Sequence, residues 1–285
     1  MSRRERIAIL GGGLMGSAIA ADFLAAGHPV ALTVSSRTSA STARERVEQV
    51  LGRQAEQLEI AADTAAAATA ADVVLECLPE ELGLKHGELR VAEQVAPEAL
   101  LATNTSSLSV ARVAGGLDDP ERLVGIHYLN PPGTFRVTEV VPGTAPDTNA
   151  LERAVALLRS VERVPVVLRR DAPGFLINRL QMALLRECVN IVDEGIAGAE
   201  DVDLIVQRGL GRRWAALGPF ATVSLGGPDL FTRIAEEVYP SLSCAERPVG
   251  GVARRSFAAE ELEQLREERL ARLAELARLD GETGD

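Results

Sequence analysis

The sequence predicts a doubly wound α/β domain followed by an all-helical domain, and three observations support this fold class. Short apolar segments alternate with helix-like segments as far as residue 168, as in a parallel sheet with helices on both faces. From Pro173 onward, apolar residues recur at helical spacings. The chain has 285 residues, 46% of them hydrophobic, which is enough for two domains. We therefore predict domain 1 over residues 1–171 and domain 2 over residues 172–285.

The first predicted unit is a strand, a glycine-rich turn and a helix. Residues 6–10 form the apolar strand, the next six fit G-x-G-x-x-G, and an alanine-rich helix runs to about residue 26. In this Rossmann-type unit the first glycine permits a tight turn, the second lets the backbone approach a pyrophosphate, and the third lets the helix pack on the strand. The candidate nucleotide-binding residues are Gly11, Gly13, Leu14, Met15 and Gly16.

Further apolar runs bounded by turn residues predict the remaining strands. They lie at residues 29–34, 57–61, 72–77, 99–103, 123–127, 137–141 and 164–168. Helices are predicted at residues 64–71, 149–160 and 175–191, and a charged helix at 258–279. The charged helix carries an apolar stripe that must be buried against its own domain or a second subunit. This stripe consists of Leu262, Leu265, Leu273 and Leu276.

Composition excludes several classes of partner. The net charge of −11 disfavours nucleic acid and anionic membrane surfaces. No apolar run approaches the roughly 20 residues of a membrane span, and the first residues lack the apolar core of a signal peptide, so we expect a soluble cytoplasmic protein. Cys77, Cys188 and Cys244 are scattered without metal-ligand spacing, which predicts reduced thiols and no structural metal site.

Among the three histidines, the sequence favours His127 as a candidate acid or base. His28 lies in a predicted turn and His86 in a polar helix, whereas His127 ends a buried-looking strand, where α/β sheets place their sites. Twelve residues on, Glu139 interrupts an apolar run, and a carboxylate there is costly unless it is paired. An imidazole held by a carboxylate is a common general acid/base pair. The alternatives are a structural histidine and a glutamate that points to solvent.

Several motifs follow the glycine turn in one order. They are Glu76-Cys77-Leu78-Pro79-Glu80 with Lys85, Asn104-Thr105-Ser106-Ser107, residues 127–132, Glu139, and Pro173-Gly174-Phe175-Leu176-Ile177-Asn178-Arg179. This order, which covers nearly the whole chain, resembles the L-3-hydroxyacyl-CoA dehydrogenase family. Segments at residues 178–181, 194–196, 209–213 and 218–219 are similar to its lambda-crystallin/L-gulonate 3-dehydrogenase branch.

The resemblance implies an oxidoreductase that interconverts a 3-hydroxyl and a 3-oxo group on a carboxylic acid or an acyl thioester. It implies that His127 moves the hydroxyl proton and that Glu139 stabilises the imidazolium. Ser106 and Asn178 would form hydrogen bonds near the reacting oxygen. It also implies a homodimer formed through domain 2. The residues implied to lie along the ribose side of a nicotinamide cofactor are Glu80, Lys85 and Asn104.

Each of these residues has a structural alternative. Ser106 could be a turn residue or a helix cap, and Asn178 could cap or brace the helix that follows it. Lys85 could be a solvated charge, with Glu80 only its partner. A different class of function also stays open, namely a catalytically silent nucleotide-binding protein, because crystallin-like members of the family serve a bulk role.

The loop after the second strand departs from the family's NAD-binding pattern. NAD-type members carry an acidic residue there for the adenosine ribose, but this chain reads Thr33-Val34-Ser35-Ser36-Arg37-Thr38. Hydroxyls and a guanidinium suit a 2′-phosphate better than a free ribose. Ser35, Ser36 and Arg37 therefore favour NADP(H). The alternative is that NAD(H) binds without its usual anchor and that Arg37 is an ordinary exposed charge.

Two more departures concern the substrate. In acyl-CoA enzymes of the family, a longer helical projection after this loop helps to hold the CoA nucleotide. The corresponding segment of this chain, residues 41–54, is short and contains no lysine. The glycine-lysine-glycine-aromatic ending of the acyl-CoA branch is also absent. A free hydroxy or oxo acid, or an acyl group on a carrier protein, therefore becomes credible beside a CoA thioester.

Overall fold

The computed structural model describes residues 4–144 and 148–247, together with Ala271 and Glu275. The described chain separates into two compact units. The first contains the described residues up to Leu176 together with Ala271 and Glu275, and the second contains those from Ile177 to residue 247. The boundary after residue 171 stays a prediction. Among the described residues, the longest apolar helices fall short of what crossing a membrane requires.

The first unit is built on one eight-stranded sheet with the order β3-β2-β1-β4-β5-β6-β7-β8. The strands are β1 Ile7–Leu10, β2 Val30–Thr33, β3 Glu59–Ala61, β4 Val73–Glu76, β5 Leu100–Thr103, β6 Leu123–Tyr128, β7 Val137–Val141 and β8 Val164–Val167. All neighbours are parallel except β6 and β7, which are antiparallel. The predicted doubly wound sheet is thus confirmed.

Helices cover both faces of this sheet. They are α1 Leu14–Ala25, α2 Arg37–Leu51, α3 Thr64–Ala68, α4 Leu82–Val95, α5 Val110–Ala114 and α6 Thr148–Ser160. Two predicted boundaries were too generous. The strand predicted from residue 57 starts at Glu59 because Gly52–Gln57 forms a 3₁₀ helix. The helix predicted to residue 71 ends at Ala68, because Ala70 takes a left-handed conformation with φ +59°.

Two apolar clusters form the core, one on each face of the sheet. Along β1, Ile7 and Ile9 belong to one cluster and Ala8 and Leu10 to the other, because successive side chains of a strand point to opposite faces. A sheet buried on both faces requires near-continuous apolar strands, as observed. Charged side chains inside these strands therefore need partners that are close to them in space.

The second unit is helical, as predicted. Its helices are α7 Ile177–Asp193, α8 Ala199–Ile205, α9 Gly211–Ala216, α10 Pro219–Gly226 and α11 Pro228–Val238, with one π-helical turn at Val206–Leu210. Helix α7 begins two residues later than predicted, because Phe175 still belongs to a turn. The charged helix predicted at 258–279 lies outside the described residues, apart from Ala271 and Glu275, which are helical.

Candidate active site

Two glycines of the turn between β1 and α1 are required by the backbone itself. Gly11 has a φ of +108°, and a Cβ there would lie 2.8 Å from the carbonyl oxygen of Cys77. A Cβ on Gly16 would lie 1.9 Å from the carbonyl oxygen of Gly11. Only glycine fits either position, because any side chain would collide with main-chain atoms.

Gly13 has a different explanation. Its φ of −68° suits any residue, and apart from Gly13 and its two chain neighbours no described residue has an atom within 4 Å of where its Cβ would be. It is the residue before α1, where the first N–H groups, those of Leu14 and Met15 among them, have no intrahelical partners. Gly13 supplies no side-chain cap for them. Open space beside free N–H groups and a positive helix end fits the pyrophosphate of a dinucleotide.

The predicted 2′-phosphate residues lie on the surface at the start of α2. Ser35, Ser36 and Arg37 are all exposed. Ser36 also caps the helix, since its Oγ accepts a hydrogen bond of 3.1 Å from the N–H of Ser39. Arg37 is the first residue of α2.

A buried ion pair lies where β4 ends. The Nζ of Lys85, on α4, donates a hydrogen bond of 2.7 Å to Oε1 of Glu76 and lies 3.0 Å from Oε2 of Glu80. Thr103, on β5, donates a hydrogen bond of 2.6 Å to the second oxygen of Glu76. Glu76 is 0% exposed and Lys85 1%, so the interpretation of Lys85 as a solvated charge is wrong. Lys85 is the only lysine in the sequence.

Glu80 organises the turn that carries Ser106. Its Oε1 accepts hydrogen bonds from the Thr105 hydroxyl at 2.6 Å and from the N–H groups of Ser106 and Ser107 at 2.9 Å each. Partial burial alone would raise the pKa of Glu80, but these hydrogen bonds and the charge of Lys85 outweigh it and lower the pKa to about 2. Glu80 is therefore more than the partner of Lys85. Lys85 is 1% exposed and contacts Glu80, and its place along a cofactor's ribose stays a prediction.

Asn104 ties three strands together at the same edge of the sheet. Its N–H donates to the carbonyl oxygen of Glu76 at 2.8 Å, and its Oδ1 accepts from the N–H of Tyr128 at 2.9 Å. The ends of β4, β5 and β6 are thus fixed relative to one another. The site prediction omitted Glu76, although a carboxylate at the end of an apolar run was the same signal that identified Glu139.

His127 and Glu139 are in contact. They are directly opposite each other in the antiparallel pair of β6 and β7. The Nδ1 of His127 lies 2.7 Å from Oε2 of Glu139, and the two residues are 5% and 2% exposed. Their separation of twelve residues is bridged by the loop between the two strands. The alternative that Glu139 points to solvent is therefore wrong.

Both oxygens of Glu139 lie within hydrogen-bond distance of nitrogen atoms, which selects the tautomer of a neutral His127. Oε1 accepts from the N–H of Leu176 at 2.7 Å. Because an ionised carboxylate can only accept, Nδ1 of His127 carries a hydrogen, and in the neutral imidazole the lone pair is on Nε2. The ring of Phe175 packs against the imidazole with centroids 5.3 Å apart. Such a histidine can take up one proton at Nε2 and return it.

The other two histidines have structural contacts. His28 contacts the backbone of Glu5 through Nδ1 and the hydroxyl of Ser160 through Nε2. The Nε2 of His86 lies 2.9 Å from the carbonyl oxygen of Arg112. His127 is thus the histidine that pairs with a carboxylate.

The last two candidate residues lie in different units. Ser106 is exposed in the turn held by Glu80, and the cap of α5 is Ser109, so the alternative that Ser106 caps that helix is wrong. Asn178 is the second residue of α7 in the second unit and is half-buried.

Two family descriptions match this chain. "3-Hydroxyacyl-CoA dehydrogenase, NAD binding domain" matches residues 6–172, and "3-hydroxyacyl-CoA dehydrogenase, C-terminal domain" matches residues 174–273. The chain is also similar to L-carnitine dehydrogenase from Oceanobacillus iheyensis, at 33% identity over 84% of this chain and 81% of the relative.

A second set of relatives has another name. The chain is 35% identical to 5-formyl-3-hydroxy-2-methylpyridine 4-carboxylate 5-dehydrogenase from Mesorhizobium japonicum, over 64% of this chain. The match spans 59% of that relative, which is less than two thirds of the relative's own length. A crystal structure of a dehydrogenase with this name, described as an NAD⁺-dependent dismutase, is similar with a TM-score of 0.88 and 26% identity, covering 97% of this chain and 98% of that one. Neither set carries the lambda-crystallin or L-gulonate name, so that narrower branch stays a prediction.

Proposed function

The chain belongs to the 3-hydroxyacyl-CoA dehydrogenase family, and from that premise we propose that it interconverts a 3-hydroxyl and a 3-oxo group on a carboxylic acid or its thioester. The observation that carries this proposal is the buried pair of His127 and Glu139, joined at 2.7 Å at the edge of the sheet where α/β proteins bind ligands. A nicotinamide cofactor, when bound, supplies or accepts the hydride.

His127 supplies the proton transfer. In the oxidative direction, its Nε2 accepts the proton of the 3-hydroxyl as the hydride leaves the same carbon, and a 3-oxo group results. In the reductive direction, the imidazolium returns that proton to the 3-oxo oxygen. Glu139 stabilises the imidazolium because its charge lies against Nδ1, and the N–H of Leu176 keeps the carboxylate in place. Ser106 and Asn178 are proposed to bind the reacting oxygen.

The experiment that tests this proposal is a change in nicotinamide absorbance with acetoacetyl-CoA and with free 3-oxo acids. Turnover is expected with at least one of them. His127→Gln should leave cofactor affinity nearly unchanged while lowering kcat by about 10²–10⁴-fold, the usual contribution of a general acid/base. Full activity of the variant would remove His127 from the mechanism. Tight cofactor binding by the native protein without any turnover would favour the catalytically silent alternative.

We propose NADP(H) as the preferred cofactor, with NAD(H) as the alternative. The support is the exposed group of two hydroxyls and one guanidinium at Ser35, Ser36 and Arg37, with no carboxylate before Glu45. Arg37→Ala should weaken kcat/KM for NADPH by about 1.5–3 kcal/mol, the scale of a hydrogen bond to a charged group, and leave NADH use nearly unchanged. Equal use of both cofactors by native protein and variant would assign NAD(H) instead.

A homodimer formed through the second unit is proposed from its surface. That unit exposes many large apolar side chains, and Phe220, Leu225 and Leu180 are 88%, 74% and 65% exposed. Light scattering should report about twice the chain mass of 30.2 kDa.

We also propose a cytoplasmic location, because Cys77, Cys188 and Cys244 are free thiols.

A further inference from the structure

Phe175 adopts a backbone conformation that favours glycine. Its φ is +49°, and the other non-glycine residues with positive φ in the described chain are Ala70 and Glu162, at +59° and +58°. Those two are exposed, whereas Phe175 is only 2% exposed. A bulky residue in the left-handed region is strained, so its side chain must supply something that glycine lacks.

The turn around Phe175 delivers a hydrogen bond to Glu139. Pro173 and Gly174, with a φ of +75°, occupy the middle of a turn that the N–H of Phe175 closes on the carbonyl oxygen of Ala172 at 3.0 Å. The second left-handed residue, Phe175, then redirects the chain so that the N–H of Leu176 reaches Oε1 of Glu139 at 2.7 Å. The backbone of this turn thus fixes the carboxylate.

The side chain of Phe175 acts on the other member of the pair. Its ring packs against the imidazole of His127 at an interplanar angle of 61°, the edge-to-face arrangement that aromatic pairs prefer. The same ring belongs to the apolar cluster that includes Val110, Val141 and Leu168. The ring therefore restricts rotation of the imidazole and connects it to this apolar cluster.

We propose that Phe175 is a positioning residue for the His127–Glu139 pair. The contact of its ring with the imidazole explains why an aromatic residue occupies a position whose backbone favours glycine. The inference rests on the proposed function of His127 as general acid/base. The imidazole plane is then held from outside the two strands, by the turn at residues 172–175. A glycine at this position would preserve the turn and lose the ring.

Phe175→Gly separates these two contributions. It relieves the left-handed strain, keeps the Leu176 N–H on Glu139 and removes the ring, so we expect kcat to fall by about 10–100-fold, the scale of a misplaced reacting group. KM for the cofactor should stay within about twofold, because the change lies outside the nucleotide site. The matched control is Ala70→Gly, which relieves the same strain at an exposed position and should leave kcat unchanged.

An activity-independent readout is the proton resonance of His127 Nδ1–H. A short hydrogen bond to a carboxylate shifts this resonance downfield and slows its exchange with water. It is assigned by its loss in His127→Gln, and it should broaden or vanish in Phe175→Gly and remain in Ala70→Gly. If Phe175→Gly does not fold, Phe175→Leu replaces it in the experiment, because leucine keeps apolar bulk but has no aromatic edge. This variant should show a smaller loss of kcat than the loss expected for Phe175→Gly, and the same broadening of the resonance.

Native kcat and an unchanged resonance in a folded Phe175 variant would overturn the proposal, even if its melting temperature fell, because the residue would then serve packing alone. Full activity of His127→Gln would instead overturn the proposed function. The two failures are distinguishable because the resonance reports the imidazole without any turnover.

Discussion

Two buried carboxylates in the first unit resemble each other in geometry and differ in the partner that they hold. Glu76 at the end of β4 and Glu139 in β7 are 0% and 2% exposed, and each contacts a side-chain nitrogen at 2.7 Å. The partner of Glu76 is Lys85, an ammonium group that can only donate hydrogen bonds, whereas the partner of Glu139 is His127, an imidazole with a second ring nitrogen that can accept a proton. One pair is suited to holding structure and the other to moving a proton.

Burial and pairing alone therefore do not identify a catalytic carboxylate. Glu76 also accepts a hydrogen bond from Thr103, and Lys85 also contacts Glu80, whose carboxylate accepts from the N–H of Ser106. Glu139 also accepts from the N–H of Leu176, but its side-chain partner His127 is an imidazole, which can act as a base. The nature of the nitrogen decides which pair can do chemistry.

Removing the charge of Glu139 should change the reaction rate strongly. Glu139→Gln replaces a pure acceptor by an amide that can donate to Nδ1, which would place the imidazole hydrogen on Nε2 and remove the base. We expect kcat to fall by about 10²–10⁴-fold. Because the imidazolium also loses its carboxylate partner, the inflection of the pH–rate profile should move to lower pH. Glu76→Gln is the matched control, and an equal shift of its inflection would contradict the comparison.

The next effect is on stability rather than rate. Lys85→Met leaves the buried Glu76 carboxylate without its cation, which should lower the free energy of unfolding by about 3–5 kcal/mol. Urea denaturation measures this change. The control is Glu59→Gln, which breaks the ion pair between Arg6 and Glu59, also short at 3.0 Å but partly exposed, and should cost about 1 kcal/mol or less. Similar costs for the two variants would show that burial of the Lys85 pair contributes nothing.

The smallest effect depends on pH. The pKa of Glu80 is lowered from 4.5 to about 2, so its contribution to stability is complete above the unfolded value and is lost as the pH falls through the folded value. The stability difference between native protein and Glu80→Gln should therefore shrink between about pH 4.5 and pH 2. Urea midpoints at pH 7, 5 and 3 test this. A constant difference across that range would show that the depressed pKa does not stabilise the fold.

The fold was predictable because its strands are short apolar runs separated by turns. Each of the eight strand predictions overlaps a strand of the structure, with ends that differ by two residues or fewer. The pairing of His127 with Glu139 was foreseeable as well, because one carboxylate in an apolar run requires a partner. Burial of Lys85 was not foreseeable, since α4 carries polar residues and its sequence does not reveal which of them faces Glu76.

Long-range contacts set the limit of sequence reasoning at the site. Thr103 reaches Glu76 from 27 residues away, and Leu176 reaches Glu139 from 37 residues away. No local pattern specifies such contacts, because they depend on which strands become neighbours. The left-handed conformation of Phe175 was equally hidden, since turn chemistry points to Gly174 alone.

Because the single lysine is buried, the reactivity of its amine reports local opening of the fold. An amine-directed acylating reagent finds one side-chain amine in this chain, and that amine is 1% exposed in the folded state. Acylation of Lys85 then requires the end of β4 to open, and its rate relative to a free lysine measures the free energy of that opening, as hydrogen exchange does for amides. Mass spectrometry of the peptide that contains Lys85 would follow this reaction separately from acylation of the N-terminal amine, so that the stability of this part of the fold can be measured at its own lysine.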